Sequence, residues 1–239
     1  MGDERPHVLM TRPASGAFRQ WAIRLGVHLE ARPYTAIQFQ APGHAHLLRC
    51  QSWDGWIFTS ARGVEGLLQW QARVFQEAAP AHLFVVGPQT ANALPVLPSS
   101  CKLHTAEGSA MALLPIIRAC LPSLSSVAFI GAAEPRPELP EALRSAHYRL
   151  SHFSVYRTRK LPGTATSKHH YQAVLFGSPK AVEAFFGGQH PTADHWVAIG
   201  PTTASALRQQ NCVPTVPPAA TPSWEEMVKF VAKELLYNA

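Results

Sequence analysis

Apolar residues come in short blocks along this chain, each three or four long and each followed by a stretch with helical spacing. The blocks are Val8–Met10, Trp56–Phe58, Leu83–Val86, Val127–Ile130, Ala173–Phe176 and Trp196–Ile199. Continuous apolar runs this short suit strands buried on both faces of a parallel sheet. Helices are predicted over Ala17–Leu25, Gly63–Gln71, Ala91–Leu97, Pro137–Arg144, Ala181–Phe186 and Ala204–Gln209. A last helix starts after Ser223, which has capping-box spacing to Glu226, and it sets Trp224, Met227, Val228, Val231 and Leu235 on one face. Strand–helix alternation with short links predicts an α/β fold, parallel sheets with helices on both faces.

The pattern occurs twice. Residues 53–68 align with 171–186 at an offset of 118: Phe58, Ser60, Val64 and Glu65 match Phe176, Ser178, Val182 and Glu183, with Arg62 opposite Lys180. Val86–Leu94 aligns with Ile199–Leu207 at an offset of 113 and matches at six of nine positions, Thr90 with Thr203 among them. Two matched blocks in the same order indicate two copies of one layout, hence two similar small doubly wound lobes.

Each block places a hydroxyl where strand turns into helix. Ser178-Pro179 is a helix-start signal, Ser60 holds the equivalent place, and Gly87-Pro88-x-Thr90 and Gly200-Pro201-x-Thr203 make the second pair of turns. Such turns fall at the carboxyl edge of a parallel sheet, where ligands of open α/β folds bind and helix N-termini present N–H groups to anions. Any one of these hydroxyls taken singly reads more simply as a helix cap. Their recurrence in both copies points to a shared anion-binding cleft between the lobes.

Composition narrows the picture. The 239 residues are 46% apolar and carry 21 Lys and Arg against 15 Asp and Glu, a formal net charge of +6. That is a globular composition, and no apolar run reaches the roughly 18–20 residues of a membrane span. The greasiest stretch, Met111–Leu121, is interrupted by Pro115 and Arg118. Met1–Pro6 lacks the basic and apolar regions of a secretion signal, so a cytoplasmic protein is expected. The basic residues are scattered, the densest cluster being Arg157-Thr158-Arg159-Lys160, which favours a small polyanion over nucleic acid. Cys50, Cys101, Cys120 and Cys212 stand far apart and read as free thiols. His44/His46, His169-His170 and His190/His195 lack a completed ligand set, so no metal is expected. There is no P-loop, no dinucleotide glycine motif, no nucleophile elbow and no paired carboxylate, since Asp54 and Glu134 lack an acidic neighbour in sequence. From the residues alone the chain is a two-lobed α/β binder of a small anion.

At these same blocks the sequence resembles the uroporphyrinogen-III synthase family. The resemblance is carried in order by Leu9-Met10-Thr11-Arg12-Pro13, Phe58-Thr59-Ser60-Ala61-Arg62-Gly63-Val64, Val86-Gly87 with Thr90-Ala91, and Glu107-Gly108-Ser109. It continues through Arg136 with Leu139 and Leu143, Val155-Tyr156-Arg157-Thr158, Phe176-Gly177-Ser178-Pro179, Ala198 to Leu207, and Ala220-Thr221-Pro222-Ser223. Each motif is weak alone; the ordered set, spanning nearly the whole chain, is specific. Gly131–Arg136 departs from the family's usual Arg-Gly start, and Ala146 stands where a glycine often ends the next helix, which puts contacts from the 131–137 loop in doubt.

The resemblance implies two α/β lobes joined by two extended linkers, with a cleft between them. One lobe would hold residues 1–36 and 157–239, the other 40–153, with linkers at 33–39 and 153–157. It implies a cofactor-free enzyme acting on hydroxymethylbilane, a linear tetrapyrrole octacarboxylate, which it closes to uroporphyrinogen III with ring D inverted and water lost. Tyr156 matches the family's linker tyrosine, the candidate to hydrogen-bond or protonate the departing hydroxyl. A phenol is a weak acid, so its effect is expected to be modest, and an inter-lobe packing role is the competing reading. Ser60, Thr90, Ser178, Thr202 and Thr203 match cleft positions, with Arg12, Arg62 and Lys180 as carboxylate partners or else solvated surface. No nucleic acid, membrane or metal partner is expected. The chain should act as a monomer, with transient handover from hydroxymethylbilane synthase. A non-catalytic tetrapyrrole- or carboxylate-binding sensor is the alternative, made less attractive because no DNA-binding segment is expected beyond Ala239.

Overall fold

The computed structural model describes residues 5–43, 48, 52–161, 170–188, 190–218 and 222–237. Cys50, His44, His46, His169, Ala220 and Thr221 lie outside the described residues, as do Met1 to Glu4. In chain order the elements are β1 (His7–Met10), α1 (Gly16–Arg24), β2 (His28–Ala31), β3 (Thr35–Phe39), β4 (Gly55–Phe58), α2 (Ala61–Trp70), α3 (Val74–Ala78), β5 (His82–Val86) and α4 (Gly87–Asn92). There follow β6 (Lys102–Ala106), a 3-10 turn (Ala110–Ala112), α5 (Leu113–Cys120), β7 (Ser126–Ala132), α6 (Glu138–Ser145) and β8 (Arg149–Lys160). The chain ends with β9 (His170–Phe176), α7 (Pro179–Phe186), β10 (Thr192–Ala198), α8 (Pro201–Arg208), β11 (Pro214–Thr215) and α9 (Trp224–Tyr237).

All six apolar blocks lie in strands, except that β10 stops at Ala198, one residue short of the predicted end. The predicted helix over Ala91–Leu97 is instead α4, Gly87–Asn92. Pro88 suits a first turn, and Pro95 bars helical geometry at the residue before it, so the helix starts and stops early. Leu113–Cys120, within the greasy stretch, is a helix that carries Pro115 in its first turn, where no intrahelical N–H bond is lost.

The chain forms two units, a terminal one of residues 1–36 with 158–239 and a central one of 37–157. The terminal sheet has the order β11-β10-β9-β1-β2, and the central sheet the order β3-β8-β7-β4-β5-β6. Every described pairing of β1, β2, β9, β10 and β11, and of β4 to β8, is parallel. Numbering β4 to β8 as strands 1 to 5 gives the central order 3-2-1-4-5. Numbering β9, β10, β11, β1 and β2 the same way gives the terminal sheet the same order. The units share one topology, but the terminal unit takes its first three strands from the end of the chain and its last two from the beginning.

Both sheets are covered on two faces. In the central unit Trp56, Phe58, Val85 and Ile130 pack with Val64 and Leu67 of α2, while Ile57, Phe84 and Val127 pack with Leu113 and Ile117 of α5 and Leu143 of α6. In the terminal unit Leu9, Val174 and Phe176 face α7 and α8, and Val8, Met10 and Leu175 face α9, through Met227, Val228 and Val231. The Tyr171 hydroxyl donates to Glu30 Oε2 at 2.5 Å, and burial together with that carboxylate raises its pKa. The Ser223 hydroxyl accepts from the Glu226 N–H at 3.1 Å, which starts α9 as the spacing predicts.

Candidate active site

In a 3-2-1-4-5 sheet the strand order reverses between strands 1 and 4, and the carboxyl ends of those strands flank a crevice. In the central unit these are β4 and β7. A cavity of about 390 Å³ opens there, lined among others by Ser60, Ser109, Glu134, Arg136 and Tyr156.

Two local features deliver the hydroxyls. Residue 60 is the N-cap of α2, yet its side chain makes no capping bond. Instead Ser60 Oγ lies 3.0 Å from Tyr156 Oη, where the two share a hydrogen bond. Tyr156 reaches that position through an irregularity in β8. Gly131 pairs with Ser154 and Ala132 with Tyr156, so Val155 is the extra residue of a β-bulge. A bulge re-aims the side chain that follows it. Here it turns Tyr156 to the α2 side of the sheet, where it packs against the same cluster as Val155.

Helix α2 is held close to these strands by two glycines one turn apart. A Cβ on Gly63 would lie 2.9 Å from the Ile130 carbonyl oxygen, and one on Gly66 would lie 2.9 Å from that of Val155. Backbone-to-backbone approach of this kind fixes where Ser60 sits relative to Tyr156. Just after β5, Gly87 opens α4 with φ +75, a left-handed conformation that glycine adopts without strain. Its counterpart Gly200 is simply extended.

The corresponding crevice of the terminal unit lies between β9 and β1. Ser178 there is a true cap, its Oγ accepting from the Ala181 N–H at 3.2 Å. Trp224 of α9 packs directly on Gly177, where any Cβ would fall 2.2 Å from the indole. The Arg12 guanidinium lies over that indole, 5.2 Å from its centroid, a cation–π arrangement that orients the charge.

The remaining predicted positions divide by burial. Thr90 and Thr203 are 3% and 1% exposed, so their hydroxyls are inside the fold. Thr202 and Arg62 are exposed, and Lys180 is half-buried in the first turn of α7. The sequence reading left Ser109 without a role, doubted the loop that carries Arg136 and treated Trp224 only as core. The structure sets the first two in the central cavity and the third beneath Arg12. The Glu107-Gly108-Ser109 motif was the available signal for Ser109; Gly108, at φ +80, makes the turn that exposes it.

Among the described residues, one group of side chains has metal-ligand chemistry: His82, His104 and Cys120. Their atoms come from β5, β6 and the end of α5, three segments too far apart in sequence to form a recognisable motif. Burial, with His82 and Lys102 nearby, holds the His104 imidazole below its ordinary pKa. No helix of the described residues is long and apolar enough to cross a membrane.

The arrangement at the central crevice is two hydroxyls in contact in a cavity also lined by Glu134 and Arg136, which suits hydrogen-bonding a ligand oxygen and handing it a proton. Comparison with known proteins gives it a setting. The structure is similar to that of a mutant uroporphyrinogen III synthase from the extremely thermophilic bacterium Thermus thermophilus. The TM-score is 0.64 at 20% identity, over 98% of this chain and all of that one. It is also similar to uroporphyrinogen-III synthetase from Helicobacter pylori, with TM-score 0.63 at 18% identity over 95% of this chain and 98% of that one. No curated protein matches the sequence significantly. At these identities the two structures establish the fold. The sequence profile described as "Uroporphyrinogen-III synthase HemD" matches residues 20–234, and the chain belongs to that family.

Proposed function

We propose that the chain closes hydroxymethylbilane to uroporphyrinogen III, and that the Ser60–Tyr156 pair is where its departing hydroxyl is held. The observation that carries this reading is the 3.0 Å contact between the two oxygens in the cavity at the β4–β7 switch point. Ser60 gives up a capping bond that Ser178 makes, so its hydroxyl is available to orient the phenol.

On this reading the substrate's carboxylates are met by cations, with Arg136, Arg12 and Lys180 as the candidates. Thr90 and Thr203 lie buried in the opening turns of α4 and α8, so on this reading they shape those turns. Tyr156 donates a hydrogen bond to the terminal hydroxyl and passes it a proton as the carbon–oxygen bond breaks, releasing water and an azafulvene cation. The substituted carbon of ring D attacks that cation, and the spiro intermediate rearranges with ring D inverted, the proton lost as ring D regains aromaticity returning to the Tyr156 phenolate. The pyrroles supply the reactivity; the protein's part is to hold one conformer, which is where positioning gains its advantage. A monomer that receives the unstable bilane directly from the enzyme that makes it fits this role.

The test supplies fresh hydroxymethylbilane, oxidises the products and separates the porphyrin isomers by chromatography. A type III excess that rises with protein concentration is expected. Tyr156→Phe should lower its rate on the order of tenfold to a hundredfold, at or below the low end of the roughly 10²–10⁴ that general acids supply, because a phenol is a weak acid. Type I isomer alone, from folded protein that still binds the tetrapyrrole, would leave a non-catalytic binding module and overturn the enzyme.

A further inference from the structure

We propose that His82, His104 and Cys120 form a binding site for a divalent cation of the zinc class, separate from the tetrapyrrole crevice.

The three residues meet on one face of the central sheet. His82 opens β5, and His104 sits on β6 directly opposite Phe84 in the strand register. Cys120 is the last residue of α5, the helix that covers this face. His82 Nδ1 and His104 Nε2 are 3.0 Å apart, and Cys120 Sγ lies 3.8 Å from the same His104 nitrogen. All three ligand atoms fall within 4.8 Å of one another. With Zn–N near 2.0–2.1 Å and Zn–S near 2.3 Å, a tetrahedral ion spaces its ligands about 3.4 Å apart for two nitrogens and about 3.6 Å for nitrogen and sulfur. The two contacts at His104 need adjustments of a few tenths of an ångström to reach that geometry, and the His82–Cys120 edge, within 4.8 Å, closes by at most about 1.2 Å.

The surroundings favour an ion over a chance cluster. The Phe84 ring stacks on His104 at 4.9 Å and 20°, which holds that imidazole in place. Two nitrogens and one sulfur are a donor set suited to zinc, and no hard carboxylate belongs to the group. Binding releases the Cys120 proton, leaves both imidazoles neutral and keeps one coordination position for water.

The location sets the consequence. β6 is the last strand of its sheet, and an edge strand is held by one neighbour only. An ion shared by His104, His82 and Cys120 would clip that edge to the adjoining strand and to the helix above it. His82 stands at the amino end of β5, whereas Val86 at the carboxyl end lines the cavity with Ser60 and Tyr156. The ion is therefore assigned a stabilising role, and its loss should not change which porphyrin isomer forms.

The experiment titrates Co²⁺ into the full-length protein under a non-thiol reductant. One equivalent should produce tetrahedral d–d bands and a sulfur-to-cobalt charge-transfer band, both erased by Zn²⁺. Cys120→Ser should abolish the charge-transfer band, and His104→Gln should weaken binding at least tenfold. Zn²⁺ at a hundredfold excess over the parent's Kd should raise the unfolding midpoint of the parent by roughly 5–10 °C and that of either variant by less, about 3–6 °C where binding is tenfold weaker and smaller still where it is lost further. A parent protein that is folded by circular dichroism yet gives no charge-transfer band overturns the site. So does a band of equal strength in Cys120→Ser, which would place the thiolate elsewhere.

Discussion

Ser60 and Ser178 occupy matching places in the two copies, yet they do different work. Ser178 caps α7, and such a cap contributes about 1 kcal/mol. Ser60 makes no capping bond and spends its hydroxyl on Tyr156. The two alanine substitutions should therefore separate stability from function. Ser178→Ala is expected to lower urea stability by about 1 kcal/mol with isomer selectivity intact. Ser60→Ala should leave the urea midpoint nearly unchanged and slow type III formation. Equal stability losses in the two variants would mean that Ser60 is a cap after all. The repeat made both serines visible in the sequence, because the hydroxyl recurs at the same step from strand to helix. It could not tell them apart, since the difference lies in a partner 96 residues away along the chain.

Among the elements, those read directly from the sequence are the ones whose burial is symmetrical. β4, β5, β7 and the buried ends of β9 and β10 are continuous apolar runs because both faces are covered. β2, β6 and β11 are strands near or at sheet edges, and they carry His, Glu, Lys, Pro and Thr that interrupt any apolar run. β8 was missed for another reason: its twelve residues mix polar and apolar positions, and the bulge at Val155 breaks its alternation just before Tyr156. That bulge, and the approach of α2 to it, are invisible to a pattern of single residues. Gly66 tests the coupling. A methyl there would meet the Val155 carbonyl oxygen at 2.9 Å, and backbone cannot step aside as a flexible side chain does. Gly66→Ala should cost about 1–3 kcal/mol by overpacking. It should also lower type III formation beyond what that stability loss explains, because α2 carries Ser60. Unaltered isomer formation in a destabilised but folded Gly66→Ala protein would show that the helix position does not set the site.

For the whole molecule, the governing fact is that one sheet order is made contiguously once and from the two chain ends the other time. The repeat offsets revealed two copies, but not which strands complete each sheet; the interleaving entered only through the family resemblance. Topology then predicts unequal autonomy. Residues 37–157 contain strands 1 to 5 of their sheet and the helices on both faces, which is what independent folding requires. Residues 158–239 contain strands 1 to 3 and lack β1 and β2. Without β1, the apolar side chains Val8, Leu9 and Met10, each 0% exposed, no longer cover β9. At about 1.5–3 kcal/mol for each buried side chain, the loss is about 5–9 kcal/mol, comparable with the 5–15 kcal/mol that hold a domain together. A 37–157 fragment is therefore expected to unfold cooperatively in urea. A 158–239 fragment should show no cooperative transition until the 1–36 peptide is added. Cooperative folding of 158–239 by itself would mean that β9 needs no neighbour on its β1 side. Failure of 37–157 would mean that the complete sheet order is not sufficient for autonomy. The two results are independent, so the experiment also separates what the topology dictates from what the rest of the chain supplies.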